Sequence, residues 1–155
     1  MLVDFNILPD DSKIWIYASE KKLKNDQQSS ILTSICNYLK NWEAHKEPLI
    51  ASAIILEDYF IVIALDEGKN EASGCSIDTL QKKIQEIEKD FSISLLNRMN
   101  VFSRIEDAIQ CIPVSKLGDN VNKETLFYDL TIQKKSELSN WLIPIEKGWC
   151  SRFLK

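Results

Sequence analysis

Two short apolar runs constrain the fold of this chain most: Leu49 to Leu56 and Phe60 to Leu65, both rich in Ile and Val and separated only by Glu57, Asp58 and Tyr59. Segments of six to eight β-branched and aliphatic residues are too short for core helices of ordinary length. A connection of three polar or aromatic residues leaves room only for a direct reversal, so the pair predicts an antiparallel hairpin. Such a hairpin needs further strands or helices to bury its faces.

The flanking sequence supplies them. After the turn residues Pro9, Asp10, Asp11 and Ser12, the run Lys13 to Ala18 alternates Trp15 and Tyr17 against Ile14 and Ile16, which predicts a strand buried on both sides. Ile31, Leu32, Ile35, Leu39 and Trp42 recur at helical intervals, and Asn25 with Gln28 suggests a capping box at the start of that helix. Ile77, Leu80, Ile84, Ile87 and Phe91 form the apolar stripe of a second helix, expected from about Ser76 to Asp90. Met99 to Ser103 and Ala108 to Val114 read as a strand pair, Gly118 to Asn120 as a loop, and Leu126 to Ile132 as a further strand. A short helix is expected from Lys134 to Asn140, followed by an irregular tail.

The resulting order, β-α-β-β-α-β with an extra strand and a helical C-terminal tail, predicts an α+β fold in which helices cover one face of an antiparallel sheet in the ferredoxin-like arrangement. With 155 residues, 45% hydrophobic, and no repeat or flexible linker, one domain spanning residues 1–155 is expected.

Charge and cysteine usage narrow the function classes. Nineteen basic and 23 acidic side chains leave a net charge of -4, which provides no electrostatic footprint for nucleic acid or an anionic membrane. No run approaches the length of a membrane span, and Met1 to Asn6 lacks the basic and apolar regions of a secretory signal, so a cytoplasmic location is expected. Cys36, Cys75, Cys111 and Cys150 are dispersed and read as reduced thiols. With one histidine and no paired thiols, neither a metal nor another cofactor is expected.

The segment Ala72-Ser73-Gly74-Cys75-Ser76-Ile77-Asp78 joins the hairpin to the second helix and places a thiol at the join. Three readings stand open there. If the hairpin forms, His45, before its first strand, and Cys75, after its second, lie at one rim with Asp66 and Glu67 between them. Those are the parts of a thiol-dependent enzyme with Cys75 as nucleophile, His45 as base and Asp66 as orienting carboxylate. Alternatively Ser76 caps the helix and Cys75 is a buried apolar plug packing on Leu80, while His45 merely helps to end the first helix and Asp78 opposes thiolate formation. Third, Ser73, Gly74, Ser76 and Asp78 line a helix N-terminus that binds a small anion. The leading expectation is a cytosolic protein that binds a small anionic ligand or a protein partner, as a monomer or homodimer. The tail from Trp141 to Leu154, which includes Trp149, is too apolar to remain in water and is expected to dock on its own domain.

The motifs Asp4-Phe5-Asn6, Leu8-Pro9, Trp15-Ile16-Tyr17, Phe60 to Glu67, Ala72 to Asp78, Arg98-Met99-Asn100-Val101, Leu138 to Trp141, Trp149 and Ser151-Arg152-Phe153-Leu154 together span nearly the whole chain. In them the chain resembles a family of small uncharacterised bacterial proteins that often carry the label "ABC transporter ATPase". The residues here contradict that label. Gly68-Lys69 is followed by Asn70 rather than Ser or Thr, and Ile63 stands where a P-loop needs its first glycine. Leu138-Ser139 shares only two letters with an ABC signature. The resemblance therefore implies no ATPase activity and no catalytic residues.

Overall fold

The Ile- and Val-rich runs form the expected hairpin: β4 (Ile50–Leu56) lies antiparallel to β5 (Phe60–Asp66), in register from Ile50 opposite Asp66 to Leu56 opposite Phe60. The computed structural model describes residues 1–154. At the reversal Glu57 and Asp58 both take positive φ, 55° and 61°, and Tyr59 N–H donates to Leu56 O at 3.1 Å. That is the turn hand that matches strand twist, here built without glycine or asparagine. Gln28 Nε2 and Leu23 N–H donate to Asp58, which anchors the turn to the chain ahead of it.

β1 (Lys13–Ala18) pairs antiparallel with the other side of β5, so the sheet order is β1-β5-β4. The central strand shows why its sequence is continuously apolar, since residues 60–65 are buried on both faces. On one face Ile61, Ile63, Leu65, Ala51 and Ala53 share a core with Ile31, Ile35 and Leu39 of α1 (Asn25–Leu39) and Leu80, Ile84 and Ile87 of α2 (Gly74–Phe91). Both helices therefore cover the same sheet face. The fold is α+β with antiparallel sheets, as the pattern of elements predicts.

The ferredoxin-like order is not completed in this sheet. The strand that would pair along the free edge of β1 belongs instead to a second, four-stranded antiparallel sheet of order β7-β6-β8-β9. Its members are β6 (Asn100–Ile105), β7 (Ala108–Pro113), β8 (Leu126–Tyr128) and β9 (Leu142–Pro144). The physical reason is local: β6 has a hairpin partner on one side and β8 on the other, so both its ladders are occupied. The edge of β1 is covered by residues 133–136. Ile14 N–H donates to Gln133 O (3.0 Å), Lys135 N–H to Ser12 O (2.9 Å), and Lys135 Nζ to the carbonyls of Phe5 and Leu8. The edge of β4 is met by Met1 to Val3, with Ala51 N–H donating to Met1 O and Val3 N–H to Ala51 O, both at 3.0 Å. Each exposed ladder is thereby blunted over part of its length.

Residues 1–96 with 133–136 form one compact unit, and residues 97–132 with 137–154 form a second. The second has its own core of Val101, Ile112, Leu117, Phe127, Ile145 and Cys150. The apolar tail thus docks within its own unit: Ile145 and Cys150 are fully buried, and the Trp141 ring stacks edge-on to Tyr128 at 4.8 Å. Several boundaries differ from those read in the sequence. Residues 118–120 are not a loop but lie in the one-turn helix α3 (Leu117–Asn120), the strand expected to reach Ile132 ends at Tyr128, and the short helix near Lys134 is the 3₁₀ turn Lys135–Ser139. The expected cap at Asn25 falls at Lys24, whose N–H donates to Gln27 Oε1, while Gln28 points away to Asp58. Among the described residues no helix is long and apolar enough to cross a membrane.

Candidate functional site

The rim of interest is the end of the first sheet where β4 begins and β5 ends. Ile50 opposite Asp66 fixes this end, so the chain entering β4 and the chain leaving β5 emerge side by side. Before β4 lies a small hairpin of β2 (Glu43–Ala44) and β3 (Glu47–Pro48), with His45 and Lys46 at φ 52° and 66° at its tip. After β5 a loop of residues 67–73 leads into α2. Two bonds tie these parts together: Trp42 Nε1 donates to Ser76 O at 2.9 Å, buried, and Asn70 Nδ2 donates to Pro48 O at 3.0 Å.

The first turn of α2 departs from the sequence expectation by one element of capping. Ser73, not Ser76, is the N-cap; its Oγ accepts Ser76 N–H at 3.1 Å, and Ser73 N–H donates back to Ser76 Oγ at 2.7 Å. Serine three residues after the cap serves where Glu or Gln is usual, so the box was hidden from a pattern sought in the usual letters. Cys75 is consequently inside the helix and exposed to solvent, not a buried plug. The staple with Leu80 does not form, since Cys75 is the second helical residue rather than the one before the cap. Asp78 is exposed and lies beyond the first turn. Tyr38 OH and Thr79 Oγ1 are 2.7 Å apart, and Thr79 Oγ1 donates to Ser76 O, completing a polar seam between α1 and α2. Burial raises the Tyr38 hydroxyl above its ordinary pKa, and the bond to Thr79 opposes that rise.

The structure brings His45, Asp66 and Cys75 to one end of the sheet, but among the described residues no hydrogen bond joins any two of them. His45 does not end α1, which stops at Leu39; it occupies an exposed turn tip. Asp66 Oδ1 accepts Gly68 N–H at 2.9 Å and Glu67 Oε2 accepts Ala72 N–H at 3.2 Å, so both carboxylates shape the loop. A thiol is activated by a base within hydrogen-bond reach that a third group orients, and neither link is present. The α2 N-terminus has a different capacity. Ser73 and Ser76 hold each other, leaving the N–H groups of Gly74 and Cys75 without a partner among the described residues, with nothing within 4 Å of the space where a Gly74 side chain would project. Open amides at the positive end of an eighteen-residue helix attract anions.

Trp42, Tyr38, Asn70 and Thr79 build this rim and were not singled out by the sequence. Trp42 reads there as a core residue, and only its indole N–H, a donor that needs a buried partner, hinted at the bond to Ser76. Among the described residues no group of His, Cys, Asp and Glu is placed to hold a metal ion. No family model matches the chain, and neither does any curated protein or solved structure.

Proposed function

We propose that this chain is a cytosolic, non-catalytic binding protein that takes a small anionic ligand at the N-terminus of α2. The observation that supports this reading is the pair of free, exposed amides of Gly74 and Cys75, set in a turn whose two serines are locked in a reciprocal cap. A preformed cap keeps the amides pointing outward, so little ordering opposes binding. Ser73 and Ser76 act by holding the turn, and Asp78, as an acid near the positive end, moderates affinity. The family that the chain resembles adds no site of its own, and the missing P-loop letters argue against ATP hydrolysis. Titration with inorganic phosphate, followed by amide NMR, tests the reading: Gly74 and Cys75 should shift saturably, and their indifference would overturn it.

The exposure of Cys75 keeps a thiol-dependent activity as the second reading. It requires His45 to swing from its turn tip onto the sulfur. In that case His45→Ala slows iodoacetamide labelling of Cys75 severalfold near neutral pH, whereas a binding protein labels equally fast with and without the imidazole.

A further inference from the structure

At the opposite end of α2 a cavity of about 320 Å³ is lined by residues 19–21, which follow β1, and by Glu88 with residues 92–94, where the helix ends. Glu20 N–H donates to Ser94 O at 3.4 Å and ties the two segments together. Ser19 Oγ donates to Lys21 O at 2.6 Å, which fixes the backbone that carries Lys21. Helix α2 closes with Ser92 at φ 54°, and the N–H groups of Ser92 and Ile93 both bond to Glu88 O. Glu88 Oε2 accepts Leu95 N–H (2.7 Å) and Leu96 N–H (3.1 Å). One carboxylate oxygen is thus engaged in holding the loop, and the other has no hydrogen bond among the described residues. Lys21 lines the same space, and its ammonium has no ion pair among the described residues, with Glu88 or with any other acid.

From this geometry we infer that the cavity binds a free α-amino acid, with the ligand's ammonium on Glu88 and its carboxylate on Lys21. Glu88 and Lys21 line one space without pairing with each other, so the cavity offers charges of both signs to a ligand. A simple anion would gain Lys21 but meet Glu88 and Glu20, and a simple cation would gain these acids and the negative end of α2 but meet Lys21. Only a ligand bearing both charges satisfies both walls. Glu88 is half-buried, so solvent screens its attraction less than at an open surface. The volume lies at the lower end of small-molecule sites and suits an amino acid, with Ile93 offering an apolar contact and Ser92 and Ser94 offering hydroxyls. This site is separate from the amides of Gly74 and Cys75 and does not depend on the reading given for them.

The test is amide NMR of the whole chain with each proteinogenic amino acid added singly at millimolar concentration, alongside methylammonium and acetate as the two half-ligands. At least one amino acid should shift the amides of residues 19–21 and 92–96 saturably while leaving Gly74 and Cys75 in place, and neither half-ligand should do so. Lys21→Ala, at an exposed position that braces nothing, and Glu88→Gln, which keeps an acceptor for Leu95 and Leu96, should each weaken binding by about tenfold or more. The inference fails if no amino acid moves these amides, if methylammonium or acetate alone moves them equally, or if Lys21→Ala binds as tightly as the parent chain.

Discussion

The packing of Gly148 against Phe127 allows a direct calculation. A Cβ added at Gly148 would lie 2.1 Å from Phe127 Cζ and 2.4 Å from its Cε1. Carbon atoms in contact sit at about 3.5–4.0 Å, so one of the two must move by roughly 1.5 Å. The ring has little room, being 1% exposed and surrounded by the core of the second unit. Nor is the backbone free, because Gly148 N–H donates to Ile145 O and Gly148 O accepts Ser151 N–H. The backbone angles, φ -103° and ψ 173°, suit alanine, so conformational strain adds nothing and the effect is steric. Overpacking of this kind costs about 2–3 kcal/mol, reduced by about 0.5 kcal/mol because alanine loses less freedom than glycine on folding. Gly148→Ala should therefore destabilise by about 2 kcal/mol, lowering Tm by roughly 5 °C for a chain of this size. Urea titration and calorimetry read both numbers. In a Phe127→Leu background, which removes Cζ, the alanine penalty should shrink by at least about 1 kcal/mol. An unchanged stability for Gly148→Ala, or an equal penalty in the two backgrounds, would refute the reasoning.

Four further outcomes follow from local geometry and burial. Ser73→Ala removes the acceptor for Ser76 N–H and should cost about 1 kcal/mol by denaturant unfolding, with the loss of protection in hydrogen exchange confined to the first turn of α2. Asp107→Gly relieves a left-handed residue at φ 63° in the exposed β6–β7 turn while keeping the carbonyl that Arg104 contacts, and should raise stability by about 0.5–1 kcal/mol; a loss would show that the aspartate side chain, not its backbone, matters there. Burial holds the thiols of Cys36 and Cys150 above the ordinary range, with Lys40 opposing the rise at Cys36. The unfolded chain then releases these protons first, so their contribution is complete below about pH 8.5 and is lost as pH climbs through the raised values, seen as a falling urea midpoint in alkaline buffer. In the native state Cys75 should be alkylated first and Cys150 last.

The candidate site was legible as a place and not as a mechanism. The hairpin pattern alone put His45, Asp66 and Cys75 at one sheet end, because antiparallel partners must return to their starting edge. It did not reveal how those side chains are employed. His45 serves a turn that needs two left-handed residues, and Asp66 closes its own loop on Gly68. The cap on Ser73 was missed because serine in place of Glu at the third helical position carries no distinctive signal, and that one shift turned Cys75 from an interior plug into a solvent-facing thiol.

By itself the sequence determined what depends on near neighbours: the strand period from Lys13 to Ala18, the apolar stripes of α1 and α2, the reversal at Glu57 and Asp58, and the absence of P-loop letters. These are local because hydrophobic periodicity and turn length act over a few residues. The tertiary structure decided what depends on competition between distant partners. β6 could have completed the first sheet, but its own neighbours β7 and β8 occupied both its edges, and residues 133–136 took the place beside β1. Likewise Lys21 and Glu88, 67 positions apart in the chain, carry no motif, and only folding brings an unpaired ammonium and a carboxylate to the same cavity.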